Sequence, residues 1–176
     1  MKVLIIRPGA LGDTLMVLPA LVALAGNAVI TFVGRQPGLD YIRSFVHRGL
    51  DFEAAGWHRL FPDSPDENSL PVSRADMVVA FFSDDEGKIR QNLKGFFPNV
   101  PVHVFSSFPS EKEHMHAALY IAECLKSAGL SVDPEKSVKN ALKKGLLGEI
   151  TSPAVRNRIV LHSGSVSYTH LRAHET

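Results

Sequence analysis

The sequence predicts an α/β fold, a Rossmann-like doubly wound parallel sheet, on three observations. Short runs of branched and aromatic apolar residues recur at 3–6, 29–33, 77–82 and 102–105. They are too short for helices, and those at 3–6 and 77–82 lack the alternation of a half-exposed strand, as expected of strands buried on both faces. Longer segments with helix start and stop signals separate them, the pattern of a parallel sheet covered by helices. The first strand also runs into a tight turn bearing Gly9 and Gly12, at the carboxyl edge where open sheets hold ligands.

Taken in order, residues 3–6 (VLII) form the first strand. Gly9 and Gly12 let the backbone turn and leave N–H groups uncovered by side chains. Asp13 stands where a helix N-cap is expected, before the apolar run 14–24. Pro19 removes a hydrogen bond inside that run, so the helix kinks there or its regular part begins near Pro19. Residues 29–33 are the second strand, and the turn 34–38 leads into a helix over about 39–47. A weak third strand is read at 51–54, a short helix at 57–61 and a polar, proline-containing loop at 62–71.

Residues 77–82 read as a buried strand, and Ser83, Asp84 and Asp85 supply a helix start whose acidic residues suit the helix dipole. That helix is expected to run to about Phe96, and 102–105 is the fifth strand. After Pro109 and Ser110 a helix over 111–128 ends at Gly129, a good C-cap. His114 and His116 lie two apart on it and point to different faces, which makes them poor joint metal ligands. Phe81, Phe82, Phe96 and Phe97 are assigned to the core, and Cys124 reads as a small buried hydrophobe. Lys136, Lys139, Lys143 and Lys144 surround Val138, Leu142 and Leu146, the pattern of a solvated helix. Contact with an anionic membrane surface is the alternative for that helix.

Lys and Arg number 19 against 18 Asp and Glu, and 45% of the 176 residues are hydrophobic. This balance indicates a globular protein without the basic excess of a nucleic-acid binder. The single Cys124 excludes an internal disulfide framework and agrees with a reducing compartment. No apolar run reaches membrane-spanning length, and the N-terminus lacks a signal-peptide cleavage pattern. A cytoplasmic location is therefore expected. The carboxyl-edge rule gathers residues 7–13, 34–36, 83–85 and 106–110 around a single crevice.

The segment RPGALGDTLMVLPALVAL resembles the N-terminal signature of glycosyltransferase family 9, the ADP-heptose:lipopolysaccharide heptosyltransferases and their relatives. These chains open with a strand, a (S/G)-x-x-GD turn and a helix containing Pro-Ala-Leu. The resemblance implies a GT-B fold of two Rossmann-like domains, of which this chain is the N-terminal, acceptor-side half. It implies an inverting transfer with Asp13 as general base, from a nucleotide-sugar donor, ADP-heptose, to a lipopolysaccharide-type acceptor, with no further cofactor. Arg7, Gly9, Gly12 and Arg35 then line the substrate site, the two guanidinium forks suiting anionic groups of a lipopolysaccharide core; a solvated loop position is the alternative for each Arg. Peripheral contact with the inner face of the cytoplasmic membrane, where such an acceptor lies, goes with that assignment.

The resemblance resumes at 159–165, where a strand runs into Ser163, Gly164 and Ser165. These match the opening of the loop that contacts the donor diphosphate in the family, although Ser163 stands where Pro is common and the downstream basic residue is absent. Residues 166–176 (VSYTHLRAHET) match the in-frame translation of a widely used transposase sequencing adapter and are set aside from fold reasoning. The expected division is a domain over 1–150, a linker and the first strand of a truncated donor domain over 151–165, and the adapter-derived tail. A chain of this length suits one domain of ordinary size, half of a GT-B enzyme, and is expected to be inactive alone. Two other classes stay open. A Rossmann oxidoreductase lacks its G-x-G-x-x-G turn and an acidic residue after the second strand; a non-catalytic binding module would use Asp13 only as a cap.

Overall fold

Every residue of the first strand after Lys2 is buried, because helices cover both faces of the sheet to which it is central. The computed structural model describes residues 1–54, 56–62, 70–110 and 114–144. The strand and turn expected at 159–165, with Ser163, Gly164 and Ser165, and the tail after them lie outside the described residues.

The sheet has five parallel strands: β1 (Lys2–Ile6), β2 (Val29–Gly34), β3 (Arg48–Asp51), β4 (Met77–Phe81) and β5 (Val102–Phe105), in the order β3-β2-β1-β4-β5. Val3 lies opposite Ile30 on one side and Met77 on the other. This Rossmann-like order reverses direction between β1 and β4, so a crevice opens at their carboxyl ends.

Strand residues alternate between two cores, as the period of two requires. Val3, Ile5, Ile30, Phe32 and Val79 pack with Leu21, Leu24, Ile121 and Leu125, supplied by α2 (Leu18–Leu24) and α5 (Ala117–Ser127). Leu4, Ile6, Val33, Val78 and Ala80 pack on the opposite face with Trp57, Leu60, Ile89, Leu93 and Phe97, mostly from a 3-10 turn (Trp57–Leu60) and α4 (Lys88–Phe96). The remaining helices are α1 (Leu11–Leu15), α3 (Gly38–Ile42) and α6 (Pro134–Lys144), the last packed on α2 and α5. Lys136, Lys139 and Lys143 are exposed and Leu142 is 83% exposed, so the outer face of α6 is the solvated one.

Several elements differ from expectation. The run 14–24 is divided: α1 is a single turn, and α2 begins with Pro19 near its start, where the missing N–H would have no helical partner anyway. The third strand is Arg48–Asp51 rather than 51–54, since its place is set by the ladder to β2, with Thr31 opposite Arg48 and Gly34 opposite Asp51. The helix expected over 39–47 stops at Ile42 and tightens into a 3-10 turn, Arg43–Phe45. The helix expected over 111–128 starts at Ala117, so His114 and His116 precede it. His116 is its N-cap, Nδ1 accepting from the Ala118 N–H at 3.2 Å. Asp84 does open a helix, accepting through its two oxygens from the N–H groups of Ile89 (2.9 Å) and Arg90 (3.0 Å), yet α4 begins only at Lys88. Phe81 and Phe97 are core residues and Phe82 and Phe96 pack half-buried against it, while Cys124 is buried as expected.

Candidate functional site

The crevice at the switch point is built by the turn that leaves β1. The Arg7 N–H extends the ladder by donating to the Val33 carbonyl at 2.9 Å, and the chain then rises through Pro8 and Gly9 into α1. Ala10, not Asp13, is the N-cap of this helix. Asp13 is the third helical residue and reaches back, its Oδ2 accepting from the Ala10 N–H at 3.0 Å. The carboxylate thus satisfies the cap residue's own N–H, the half of a capping box that the third helical residue supplies. Its charge also suits the first turn of the helix. Gly9 makes this possible: a Cβ there would lie 2.5 Å from the Asp13 Cβ and 3.0 Å from its Oδ2.

Arg7 is only 2% exposed, not the solvated loop residue that its place after a strand suggests. Its Nε donates to the main-chain oxygen of Asp13 at 3.2 Å and its Nη1 to that of Ser107 at 2.8 Å. Nη2 is buried and has no hydrogen-bond partner among the described residues. The guanidinium carbon lies 5.2 Å from the Phe81 ring centroid and 5.7 Å from that of Phe108. Burial pushes the Arg7 guanidinium below its ordinary value, while Asp13, Tyr120 and Cys124 pull it back toward the charged form. A guanidinium starts from so high a value that it stays protonated at neutral pH.

These residues line a cleft of about 440 Å³ together with Pro8, Ala10, Arg35, Phe52, Phe61 and Phe82. Arg35 stands at its rim, half-exposed, paired through Nε with the Glu53 carboxylate and 5.8 Å from the Phe52 ring centroid. Phe52, Phe61 and Phe82 meet one another with centroids 6.0–6.2 Å apart, giving the cleft an aromatic wall. Aromatic faces of this kind take apolar or C–H-bearing ligand surfaces, and the cations and Asp13 take polar ones.

Of the residues anticipated from sequence, Arg7, Gly9, Asp13 and Arg35 come together here, whereas Gly12 faces away: a Cβ added to it would meet nothing within 4 Å. The expected single crevice is two. Residues 83–87, Arg90 and Ser106 line a second cavity of about 400 Å³, joined to the first only through the shared Phe82. Sequence reading missed Phe52 and Phe61 altogether and treated Phe82 as core; their one signal is that each follows closely on a strand or a short helical turn at the carboxyl edge. Among the described residues, no three His, Cys, Asp or Glu side chains converge as metal ligands would. No described helix is long and apolar enough to cross a membrane.

No protein-family model matches the chain, and no curated protein matches it. Solved structures do. The E. coli heptosyltransferase WaaC with ADP has a TM-score of 0.43 and 19% identity, covering 76% of this chain and 48% of that one. WaaC with ADP-2-deoxy-2-fluoro heptose has a TM-score of 0.42 and 18% identity, over 76% and 50%. A dodecameric FMN-dependent UbiX-like decarboxylase from Escherichia coli O157:H7 follows, with a TM-score of 0.33 and 12% identity over 74% and 77%. The chain spans about half the length of the two heptosyltransferase structures.

Proposed function

We propose that the chain is the acceptor-side half of an inverting glycosyltransferase, with Asp13 as the general base on an acceptor hydroxyl. The observation that carries this reading is the setting of Asp13: Oδ2 is held by the Ala10 N–H while the carboxyl group stands on a cleft of about 440 Å³ at the carboxyl edge of the sheet. A carboxylate held through one oxygen is oriented and still has the other for a substrate proton. The sugar comes from a nucleotide-sugar donor, ADP-heptose by the resemblance of the N-terminal signature. The acceptor is a lipopolysaccharide core or related glycan.

In this scheme Asp13 removes the proton as the acceptor oxygen attacks the anomeric carbon from the face opposite the diphosphate. That carbon–oxygen bond forms as the bond to the diphosphate breaks, and the diphosphate departs with the electron pair. Its charge needs donors from the other half of the cleft, for which Ser163, Gly164 and Ser165 are the opening residues. Arg7 and Arg35 hold anionic groups of the acceptor, and the Phe52, Phe61 and Phe82 wall carries the C–H faces of its sugar rings. No metal or organic cofactor takes part. The site works in the cytoplasm at the inner face of the membrane, and turnover needs the donor half of the cleft as well as this one.

One observation favours a non-catalytic binding module instead, namely that Asp13 already has a structural duty at the Ala10 N–H. The variant Asp13→Asn separates the two, because its carbonyl oxygen keeps that hydrogen bond but takes no proton. In a protein that carries both this domain and a donor domain, transfer from ADP-heptose should fall about 10²–10⁴-fold while the fold is kept and the thermal midpoint drops only by what the lost charge contributes at the helix start. Turnover equal to the parent would overturn the base assignment.

A further inference from the structure

We infer that Arg7 and Phe108 form a closed oxyanion site, in which the free Nη2 of Arg7 receives a carboxylate or phosphate-monoester oxygen once the Phe108 ring swings aside. This rests on the proposed function only for which molecule brings the oxyanion.

The argument starts from the charge. Arg7 is 2% exposed, and its two hydrogen-bond acceptors, the main-chain oxygens of Asp13 and Ser107, are neutral. The nearby Asp13 carboxylate is turned to the Ala10 N–H. A buried cation whose remaining donor meets no acceptor is costly to keep, and an ionised partner is what relieves that cost. Nη2 is such a donor, on a residue that lines the cleft.

What separates it from solvent differs on its two sides. Phe81 is 1% exposed and belongs to the core, but Phe108 is 53% exposed. Phe108 follows β5 on a loop, and among the described residues its N–H makes only a long contact, to Ser106 Oγ at 3.5 Å. Its ring can turn outward without opening the core, whereas that of Phe81 cannot. Until then the ring supplies a cation–π contact in place of an anion. Turned outward, it presents an apolar face beside the bound oxyanion, which suits an acidic group borne on a ring or chain with C–H surface.

The test uses the full chain, inorganic phosphate and acetate, each titrated at constant ionic strength against the Arg7 side-chain N–H resonances. A saturable shift with phosphate alone identifies a phosphate-monoester ligand and with acetate alone a carboxylate; either supports the site, and no saturable shift with either overturns it. Arg7→Gln should weaken the responding anion at least about tenfold, as expected for loss of a charge-assisted hydrogen bond. Followed by the Ser107 and Phe108 amide shifts, Phe108→Ala should bind it about threefold more tightly, because no ring has to be displaced. Should Arg7→Gln fail to fold, Arg7→Lys keeps the charge without the fork and should still weaken binding severalfold. Unaltered affinity in the Arg7 variants, or weaker affinity in Phe108→Ala, overturns the proposal. Because no sugar is transferred, this result is independent of the Asp13→Asn experiment.

Discussion

The Arg7 guanidinium donates through Nη1 to the main-chain oxygen of Ser107 at 2.8 Å, a bond across one hundred residues that joins the exit of β1 to the segment after β5. With the bond from Nε to the Asp13 oxygen, it makes Arg7 the common support of both sides of the cleft. Yet these are two bonds to neutral carbonyls, each worth about 1.5–3 kcal/mol for a charged donor, against a desolvation penalty of several kcal/mol for a buried ion. The fold gains little from the charge. Arg7→Met, of similar length and able to pack between Phe81 and Phe108, is therefore expected to change unfolding free energy in urea by less than about 1.5 kcal/mol. A loss well beyond this would make Arg7 a structural residue rather than one kept for a ligand.

Asn92 holds another wall. Only 2% exposed, it lies on α4 and donates from Nδ2 to the carbonyls of Leu60 (3.1 Å) and Pro62 (2.9 Å), fixing the turn that carries Phe61 to the cleft. Asn92→Ala should destabilise by about 1–3 kcal/mol in urea. Asn92→Asp should be worse, and in a pH-dependent way. Two carbonyl oxygens facing a buried carboxyl disfavour its ionised form and raise its folded pKa above the unfolded one. The protonated acid can still donate to one carbonyl, so the penalty is smallest at about pH 4 and grows as pH rises toward about 8. A penalty that shrinks on raising the pH would contradict this account.

The sequence revealed what depends on contiguous residues. VLII and MVVAF are buried on both faces, so composition alone marks them as central strands. The edge strand Arg48–Asp51 has no such run; only its ladder to β2 places it, three residues before the stretch that composition marks. Asp84 was readable as a helix opener because its partners lie within six residues. Asp13 is the expected cap because Asp is a usual cap residue, whereas the chain puts Ala10 there and uses Asp13 from inside the turn. The burial of Arg7 had no local signal, since Ser107 and Phe108, which enclose it, meet it only after the sheet has formed.

Where α1 and α3 cross, Gly38 lies against Thr14. A Cβ on Gly38 would stand 2.7 Å from the Thr14 Oγ1 and 2.8 Å from its Cβ, and Thr14 is fully buried with Oγ1 unpartnered among the described residues. Gly38→Ala should therefore destabilise by about 1–3 kcal/mol through overpacking. Thr14→Ala removes the nearest atom, so the double variant should recover part of that loss. Strict additivity of the two single changes in urea would show that the helices are not in contact there.

Gly9 and Gly12 share one turn and a common appearance in sequence, yet the structure assigns them opposite responses to a methyl group. At Gly9 a Cβ would fall 2.5 Å from the Asp13 Cβ and 3.1 Å from its Cγ, closer than packed carbons come. Either the turn opens or Asp13 leaves the Ala10 N–H, and the release of that charge-assisted bond costs about 1.5–3 kcal/mol. At Gly12 nothing lies within 4 Å, and the residue sits inside α1, where alanine is favoured over glycine by about 0.5–1 kcal/mol. Gly9→Ala should thus lower the thermal midpoint and move the Ala10 amide resonance, while Gly12→Ala should raise the midpoint slightly. Equal midpoints for the two variants would mean that the Asp13 carboxylate is not folded back against Gly9 in solution, and the orientation on which its role as a base depends would fall with it.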